Sequence, residues 1–314
     1  MKKLAVVAFG GNALLRAGQK GTIDEQEANA YDAGKKLLKL MKRKYNFVLT
    51  HGNGPQVGNI MLANAAGKQI YGIPEMPMDV CGAYSQGFIG YILEQQLRNV
   101  LMKDDKERDI ITLITQVLVD KNDPAFVNPA KPVGPYYTKD EAEAIMKTSK
   151  AVFKEDARGR GWRKVVASPN PMMIFNQKTI EKIAREGHIV IAVGGGGIPC
   201  FYVKENKLQG IDAVIDKDIA SSRLAVGIRA DKLFILTDIP KVFINFNTPQ
   251  QKAIDRMSLT EAKRYLAEGQ FGAGSMAPKV RAAINFVEST GKDTIITETD
   301  LLGVDNGGTR ITMV

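Results

Sequence analysis

A run of β-branched and small apolar residues, Ile189-Val190-Ile191-Ala192-Val193, passes directly into four glycines, Gly194–Gly197, and then Ile198-Pro199. Such a run reads as a strand buried on both faces, the kind found inside a parallel sheet. Consecutive residues without Cβ at its end let backbone N–H groups close on an anion. The same junction occurs twice more. Leu4–Phe9 runs into Gly10-Gly11-Asn12, and Phe47–Thr50 runs into His51-Gly52-Asn53-Gly54-Pro55. Three glycine elbows at strand ends predict an α/β fold whose strands converge on one composite anion pocket, and phosphate suits such a pocket.

The remaining pattern alternates strands with helices, as a mostly parallel sheet requires. Asp24 and Glu27 have the spacing of a capping box, and Ala30, Ala33, Leu37, Leu40 and Met41 follow at helical spacing. A long helix is expected over Cys81–Met102, although Gly82, Gly87 and Gly90 weaken it unless something packs closely there. Ile110–Thr115, Lys232–Thr237 and Thr294–Thr297 read as strands. Thr179–Glu186 reads as a helix stopped by Gly187, with further helices near Thr260–Glu268 and Pro278–Glu288. From about Val119 to Pro171 six prolines break this rhythm, and the segment reads as irregular. A functional lid and an ordinary surface excursion both fit it.

The 314 residues suffice for one large α/β domain or two lobes, and 44% hydrophobic with 25% charged residues is ordinary for a globular protein. No window approaches the roughly 18 apolar residues of a membrane span, and the apolar run after Lys2-Lys3 is too short for a signal peptide. Cys81 and Cys200 form no CxxC pair and read as free thiols of a reducing cytoplasm. The net charge of +9 comes from interspersed lysines and acids. It fits a solvated surface, or a field that draws small anions into a cleft. No basic helix or aromatic-basic ribbon points to nucleic acid.

The common nucleotide signatures are missing: there is no G-x-x-x-x-G-K-[ST], no complete G-x-G-x-x-G, and no H-R-D with D-F-G. With two histidines in the chain, His-centred catalysis and a His/Cys zinc site are disfavoured, and His51 reads as structural. Charged residues near glycines remain. In Val214-Ile215-Asp216-Lys217-Asp218 a lysine sits between two carboxylates, which fits a helix start with surface charges or a lysine on a transferred phosphoryl group. In Gly272-Ala273-Gly274-Ser275-Met276-Ala277-Pro278-Lys279, Pro278 marks a first helical turn, so Lys279 opposes the helix macrodipole unless a polyanion binds there. Lys131 stands in a proline-restrained loop, Asn128–Pro135. Phosphoryl transfer needs positioning and charge neutralisation more than covalent chemistry, so lysines and backbone amides suffice. An acceptor already ionised at pH 7 needs no general base.

Together these motifs resemble the amino-acid kinase superfamily, and within it the carbamate kinase family closely. The blocks that carry the resemblance are Phe9–Leu14, Thr50–Gly58, Asp120–Phe126, Lys131–Pro135, Gly194–Pro199, Val214–Asp218 and Phe271–Lys279, which spread over nearly the whole chain. The resemblance implies a three-layer αβα sandwich with a mostly parallel central sheet and a subdomain protruding at about 119–171. It also implies an acceptor lobe over 1–205 and a nucleotide lobe over 206–314. The implied reaction is reversible, ATP and carbamate giving ADP and carbamoyl phosphate, with Mg²⁺ on the nucleotide and no protein metal ligand named. ATP formation during arginine breakdown, a cytoplasmic homodimer, and no nucleic-acid or membrane partner are implied as well. By this carry-over Lys131, Lys217 and Lys279 neutralise the phosphoryl group and Asp218 orients the lysines. Gly10, Gly11, Asn12, Gly52, Asn53, Gly54, Gly195 and Gly196 hold acceptor and phosphate. Asp216, Thr237, Asp238, Val242, Ala273, Gly274 and Met276 hold the nucleotide. The alternatives are another acid-acceptor kinase of this superfamily and a non-catalytic nucleotide sensor.

Overall fold

The computed structural model describes the chain apart from residues 1, 11–13, 17, 44, 103–107, 150 and 157–158, and apart from the side chain of 205. The first half carries β1 (Lys3–Phe9), α1 (Ile23–Lys42), β2 (Tyr45–His51), α2 (Gly54–Tyr71), α3 (Met78–Leu101), β3 (Ile110–Thr112) and β4 (Gln116–Val119). There follow β5 (Lys131–Tyr137), α4 (Lys139–Thr148), β6 (Val152–Glu155), β7 (Trp162–Val166), β8 (Pro171–Ile174), α5 (Gln177–Glu186), β9 (Ile189–Ile191), β10 (Ile198–Tyr202) and β11 (Leu208–Gly210). The last third holds α6 (Lys217–Gly227), β12 (Lys232–Thr237), β13 (Val242–Ile244), β14 (Lys252–Ile254), β15 (Arg256–Ser258), α7 (Leu259–Ala267), α8 (Met276–Thr290), β16 (Thr294–Glu298) and β17 (Thr309–Thr312).

Eight strands form the main sheet in the order β15-β17-β16-β12-β1-β2-β9-β3, and only β16 and β17 pair antiparallel. β1 is buried on both faces and sorts its side chains by the two-residue period of a strand. Leu4 and Val6 join the core under α5, α6 and α8, whereas Ala5, Val7 and Phe9 join the core under α1 and α3. That division makes the three αβα layers. The strand order reverses at β1, which has β2 on one side and β12 on the other. In such a sheet the crevice beyond the carboxyl ends of the two strands at the reversal is where ligands bind. Here those ends are Phe9-Gly10 and Thr237-Asp238.

Several local expectations are corrected. The helix start before Ala30 is capped by Thr22 with Glu25, a reciprocal pair two residues ahead of the expected one. Of the three glycines in α3, only Gly90 is explained by close packing. A Cβ there would lie 2.3 Å from Thr112 Cγ2, whereas Gly82 and Gly87 have nothing within 4 Å. Within the proline-rich segment β5, β7 and β6 form a three-stranded antiparallel sheet with α4 against it. Pro132 and Pro135 are accommodated because β5 is an edge strand. The helix α2 has no counterpart in the sequence reading. It buries only Gln56, Val57 and Gly58, so no apolar stripe announces it.

Candidate active site

The start of α6 organises the crevice. Asp216 caps the helix, its Oδ1 accepting from the N–H groups of Asp218 at 2.9 Å and Ile219 at 3.3 Å. Its other oxygen, Oδ2, accepts from Lys131 Nζ at 2.8 Å, and Lys131 is the first residue of β5 in the three-stranded sheet. One carboxylate therefore fixes both a helix end and a lysine from the three-stranded sheet.

Lys217 is the first residue of α6 and donates its Nζ to the Phe9 carbonyl at 2.7 Å. Its ammonium also lies 3.1 Å from Asp218 Oδ1, and Asp218 Oδ2 accepts from Lys279 Nζ at 2.8 Å. Lys279 stands in the first turn of α8, so two helix N-termini meet over one buried carboxylate. Burial alone raises the Asp218 carboxyl, yet Lys217 and Lys279 outweigh it and hold it at about 2. Burial lowers the Lys217 ammonium against the pull of Asp218. For Lys279 the opposing attraction of Asp218 prevails over burial, and its value is raised.

These groups line a cavity of about 300 Å³ together with Gly10, Thr237, Asp238, Gly274, Ser275 and Pro278. Beside it opens a smaller hollow of about 240 Å³, sharing Thr237, Asp238 and Ser275 and walled by Phe243, Phe246, Phe271 and Met276. A charged cavity joined to an aromatic slot suits a polyphosphate joined to a planar base.

Of the expected site residues, Lys131, Asp216, Lys217, Asp218, Lys279, Gly10, Thr237, Asp238 and Gly274 meet at the charged cavity, and Met276 lines the slot. Gly11 and Asn12 lie outside the described residues. Val242 lines neither cavity: it is wholly buried and donates its N–H to Thr309 Oγ1. The next residue, Phe243, lines the slot instead. Ala273 is exposed and lines neither hollow.

Among the described residues, the second and third glycine elbows are closely packed. Gly52 N–H donates to Phe9 O at 3.2 Å, and Gly196 N–H donates to Val193 O at 3.1 Å, so both amides are engaged within the protein. A Cβ on Gly195 would lie 2.2 Å from Asn53 Nδ2, and one on Gly196 would lie 2.3 Å from Ile215 O. Asn53 donates in turn to Ser85 Oγ at 2.8 Å, and Gly54 begins α2. Gln86, beside Ser85 on α3, donates to Gly194 O at 2.9 Å and accepts from Thr115 N–H at 2.8 Å. Val193 takes φ 55°, a left-handed conformation that costs a β-branched residue roughly 1–3 kcal/mol. His51 is buried against this loop, with its imidazole pushed down to about 4 by burial, and is neutral at pH 7. Phe9 O, Ser85, Gln86, Phe243 and Phe246 have no counterpart among the sequence expectations, whereas Phe271 opens one of the blocks named there. The Phe243-x-x-Phe246 pair following Thr237-Asp238 was the one available signal.

The model of the amino acid kinase family matches residues 3–298. The chain belongs to the amino acid kinase family. Within it the kinase stands with the carbamate kinases. It is 48% identical to the carbamate kinase of Pyrococcus horikoshii over 297 residues, 94% of each chain. It is 47% identical to carbamate kinase 2 of Staphylococcus aureus over the full length of both. Among solved structures it resembles the Giardia lamblia carbamate kinase bound to AMP-PNP, with a TM-score of 0.91 and 44% identity over 99% of this chain and 98% of that one. As an amino acid kinase the chain is an ATP-dependent phosphotransferase, and the sequence expectation of this family and fold holds.

Proposed function

We propose that the chain transfers a phosphoryl group reversibly between ATP and carbamate, with carbamoyl phosphate and ADP as products. The observation that carries this reading is the convergence of Lys131, Lys217 and Lys279 on one cavity that adjoins an aromatic slot. Three ammonium groups, two of them with side chains only 12% and 14% exposed, can balance the charge that spreads over the equatorial oxygens during in-line transfer. The base of the nucleotide would lie in the Phe243–Phe246–Phe271 slot, and its phosphates would run toward Lys217 and Lys279. Gly10 and the neighbouring elbow would face the acceptor, with Lys131 closing from the protruding sheet. Carbamate is ionised at neutral pH and needs no general base, and His51 lines neither hollow. The alternatives of a different acid acceptor or a sensor are not favoured by the comparisons.

Mg²⁺ would enter as the metal of the nucleotide. Asp216 and Asp218 are already bound to lysines, and among the described residues no group of three or more His, Cys, Asp or Glu could hold a metal ion. Such a donor set fits a hydrated Mg²⁺ held chiefly by phosphate oxygens, whose charge would add to that of the lysines.

We further propose that residues 1–205 serve the acceptor and 206–314 the nucleotide. Transfer from carbamoyl phosphate to ADP is the downhill direction for a mixed anhydride, which supports ATP formation in arginine breakdown as the working direction. Buried free thiols at Cys81 and Cys200 suit the cytoplasm. Among the described residues no helix is long and apolar enough to cross a membrane. Tyr84, Phe88 and Tyr91 lie exposed along one face of α3, and their 4-3 spacing suits a homodimer contact. Light scattering of a Phe88→Glu/Tyr91→Glu variant tests that contact: a monomer supports it and an unchanged assembly rejects it.

The decisive assay supplies carbamoyl phosphate, Mg²⁺ and ADP and follows ATP. Rapid ADP-dependent formation that disappears in Lys217→Ala, with ADP affinity retained within a few-fold, is the expected result. ADP binding without ATP formation would overturn the reading.

A further inference from the structure

A separate concavity of about 390 Å³ lies between the C-terminal end of α1, strands β12, β16 and β17, and the 303–308 loop. It shares no lining residue with either hollow of the active site. Five cationic side chains line it: Arg43, Lys232, Lys241, Arg256 and Arg310. The two lining carboxylates, Asp305 and Asp255, are largely solvent-exposed and already bind Arg43 and Lys241. Arg256 donates toward Thr312 and Val314 at the chain end.

Lys232 and Arg310 are differently placed. Both are directed at a single carboxylate, Asp293, each at 3.8 Å, beyond hydrogen-bond reach. Asp293 itself does not line the concavity. The Lys232 side chain is only 19% exposed, and burial lowers its ammonium; Asp293 opposes the shift, while Arg310 and Lys3 add to it. Two cations sharing one distant carboxylate leave positive charge that a bound anion would balance. Tyr45 and Phe234 add an apolar wall, packed edge to face at 6.2 Å between ring centroids. The volume falls within the few hundred Å³ typical of small-molecule sites.

We infer that this concavity is a second anion-binding site, taking a phosphate group, free or carried on a small organic body, with Lys232 and Arg310 as its principal ligands. An arginine fork beside a lysine point charge is the pairing that phosphate oxygens favour. The aromatic wall would receive the organic part of a phosphate ester. The inference does not rest on the identity of the acceptor in the catalytic cleft.

The test is calorimetric titration of the full chain with inorganic pyrophosphate and, separately, with ribose 5-phosphate, AMP-PNP being held saturating throughout. One saturable site is expected, weakened by about tenfold or more in Lys232→Gln/Arg310→Gln and unchanged in Lys217→Ala. Tighter binding of ribose 5-phosphate identifies an organic phosphate as the ligand, and tighter binding of pyrophosphate identifies the free anion. Should the double variant fail to fold, Arg310→Gln alone, on a strand near the sheet edge, is expected to weaken binding severalfold. Absence of saturable binding in the unaltered chain up to millimolar concentration overturns the proposal, as does equal affinity in the folded variants.

Discussion

Lys279 reaches Asp218 at 2.8 Å from the first turn of a different helix, so the ends of α8 and α6 are tied through one buried carboxylate. The positive ends of both helix dipoles and two ammonium groups thereby face the same small volume. Asp218 is the group that keeps this concentration of positive charge together.

Asp218→Asn is therefore expected to lower kcat by about a hundredfold or more, with a smaller change in nucleotide affinity. Asp218 pulls the values of Lys217 and Lys279 upward. Without it both ammonium groups lose their protons at lower pH, and the alkaline limb of the pH–rate profile moves toward neutrality. An alkaline limb that stays in place would count against this role.

Lys131 begins β5 of the three-stranded sheet, and Asp216 caps α6. Lys131→Met is expected to raise KM for carbamoyl phosphate by about tenfold and to leave KM for ADP nearly unchanged. Asp216→Asn weakens the cap of α6 as well, at about 1 kcal/mol of stability. Steady-state kinetics with each substrate varied, together with thermal denaturation, separates the two effects. Equal rises in both Michaelis constants after Lys131→Met would place that lysine elsewhere.

His51 gives the fold a defined acid sensitivity. Its imidazole titrates near 4 in the folded chain against a usual 6.5. Between those values the unfolded chain binds the extra proton, so stability falls as pH drops from 6.5 through 4 and this contribution then levels off. Chemical denaturation at a series of pH values is expected to show a shallower slope in that window for His51→Gln. Parallel pH dependence in the two proteins would assign the acid sensitivity to other groups.

Gly90 admits α3 to the strand carrying Thr112. Gly90→Ala brings a methyl group to 2.3 Å from Thr112 Cγ2, and a loss of about 1–3 kcal/mol is expected. Adding Thr112→Ala removes the obstructing atoms and is expected to restore most of the stability, a coupling that a double-mutant cycle measures.

The parts legible in the sequence were those decided by local pattern. Continuous apolar runs marked β1, β2 and β12, and β12 falls at its expected limits. The lysines and aspartates near glycines stood out because so much charge rarely accompanies strand ends. The misses have equally local reasons. Both Thr22/Glu25 and Asp24/Glu27 offer an acidic partner close behind an N-cap residue, and the competition between them was decided by the fold. In β13 neighbouring side chains point to opposite faces, so Val242 is buried while Phe243 lines the slot. At the glycine run Asn53, Ile215, His51 and Val117 stand where Cβ atoms would otherwise be. Contacts from such distant segments leave no mark in the local sequence.

The three cavity lysines are each held by a carboxylate of the chain: Lys131 by Asp216, and Lys217 with Lys279 by Asp218. Under the proposed function, a phosphoryl group entering among them would exchange counter-ions instead of meeting bare charge. Ground-state affinity is then a difference between two sets of ion pairs and remains moderate. The gain grows only as the migrating group spreads its charge toward all three ammonium groups, so the built-in carboxylates favour turnover over retention of either substrate.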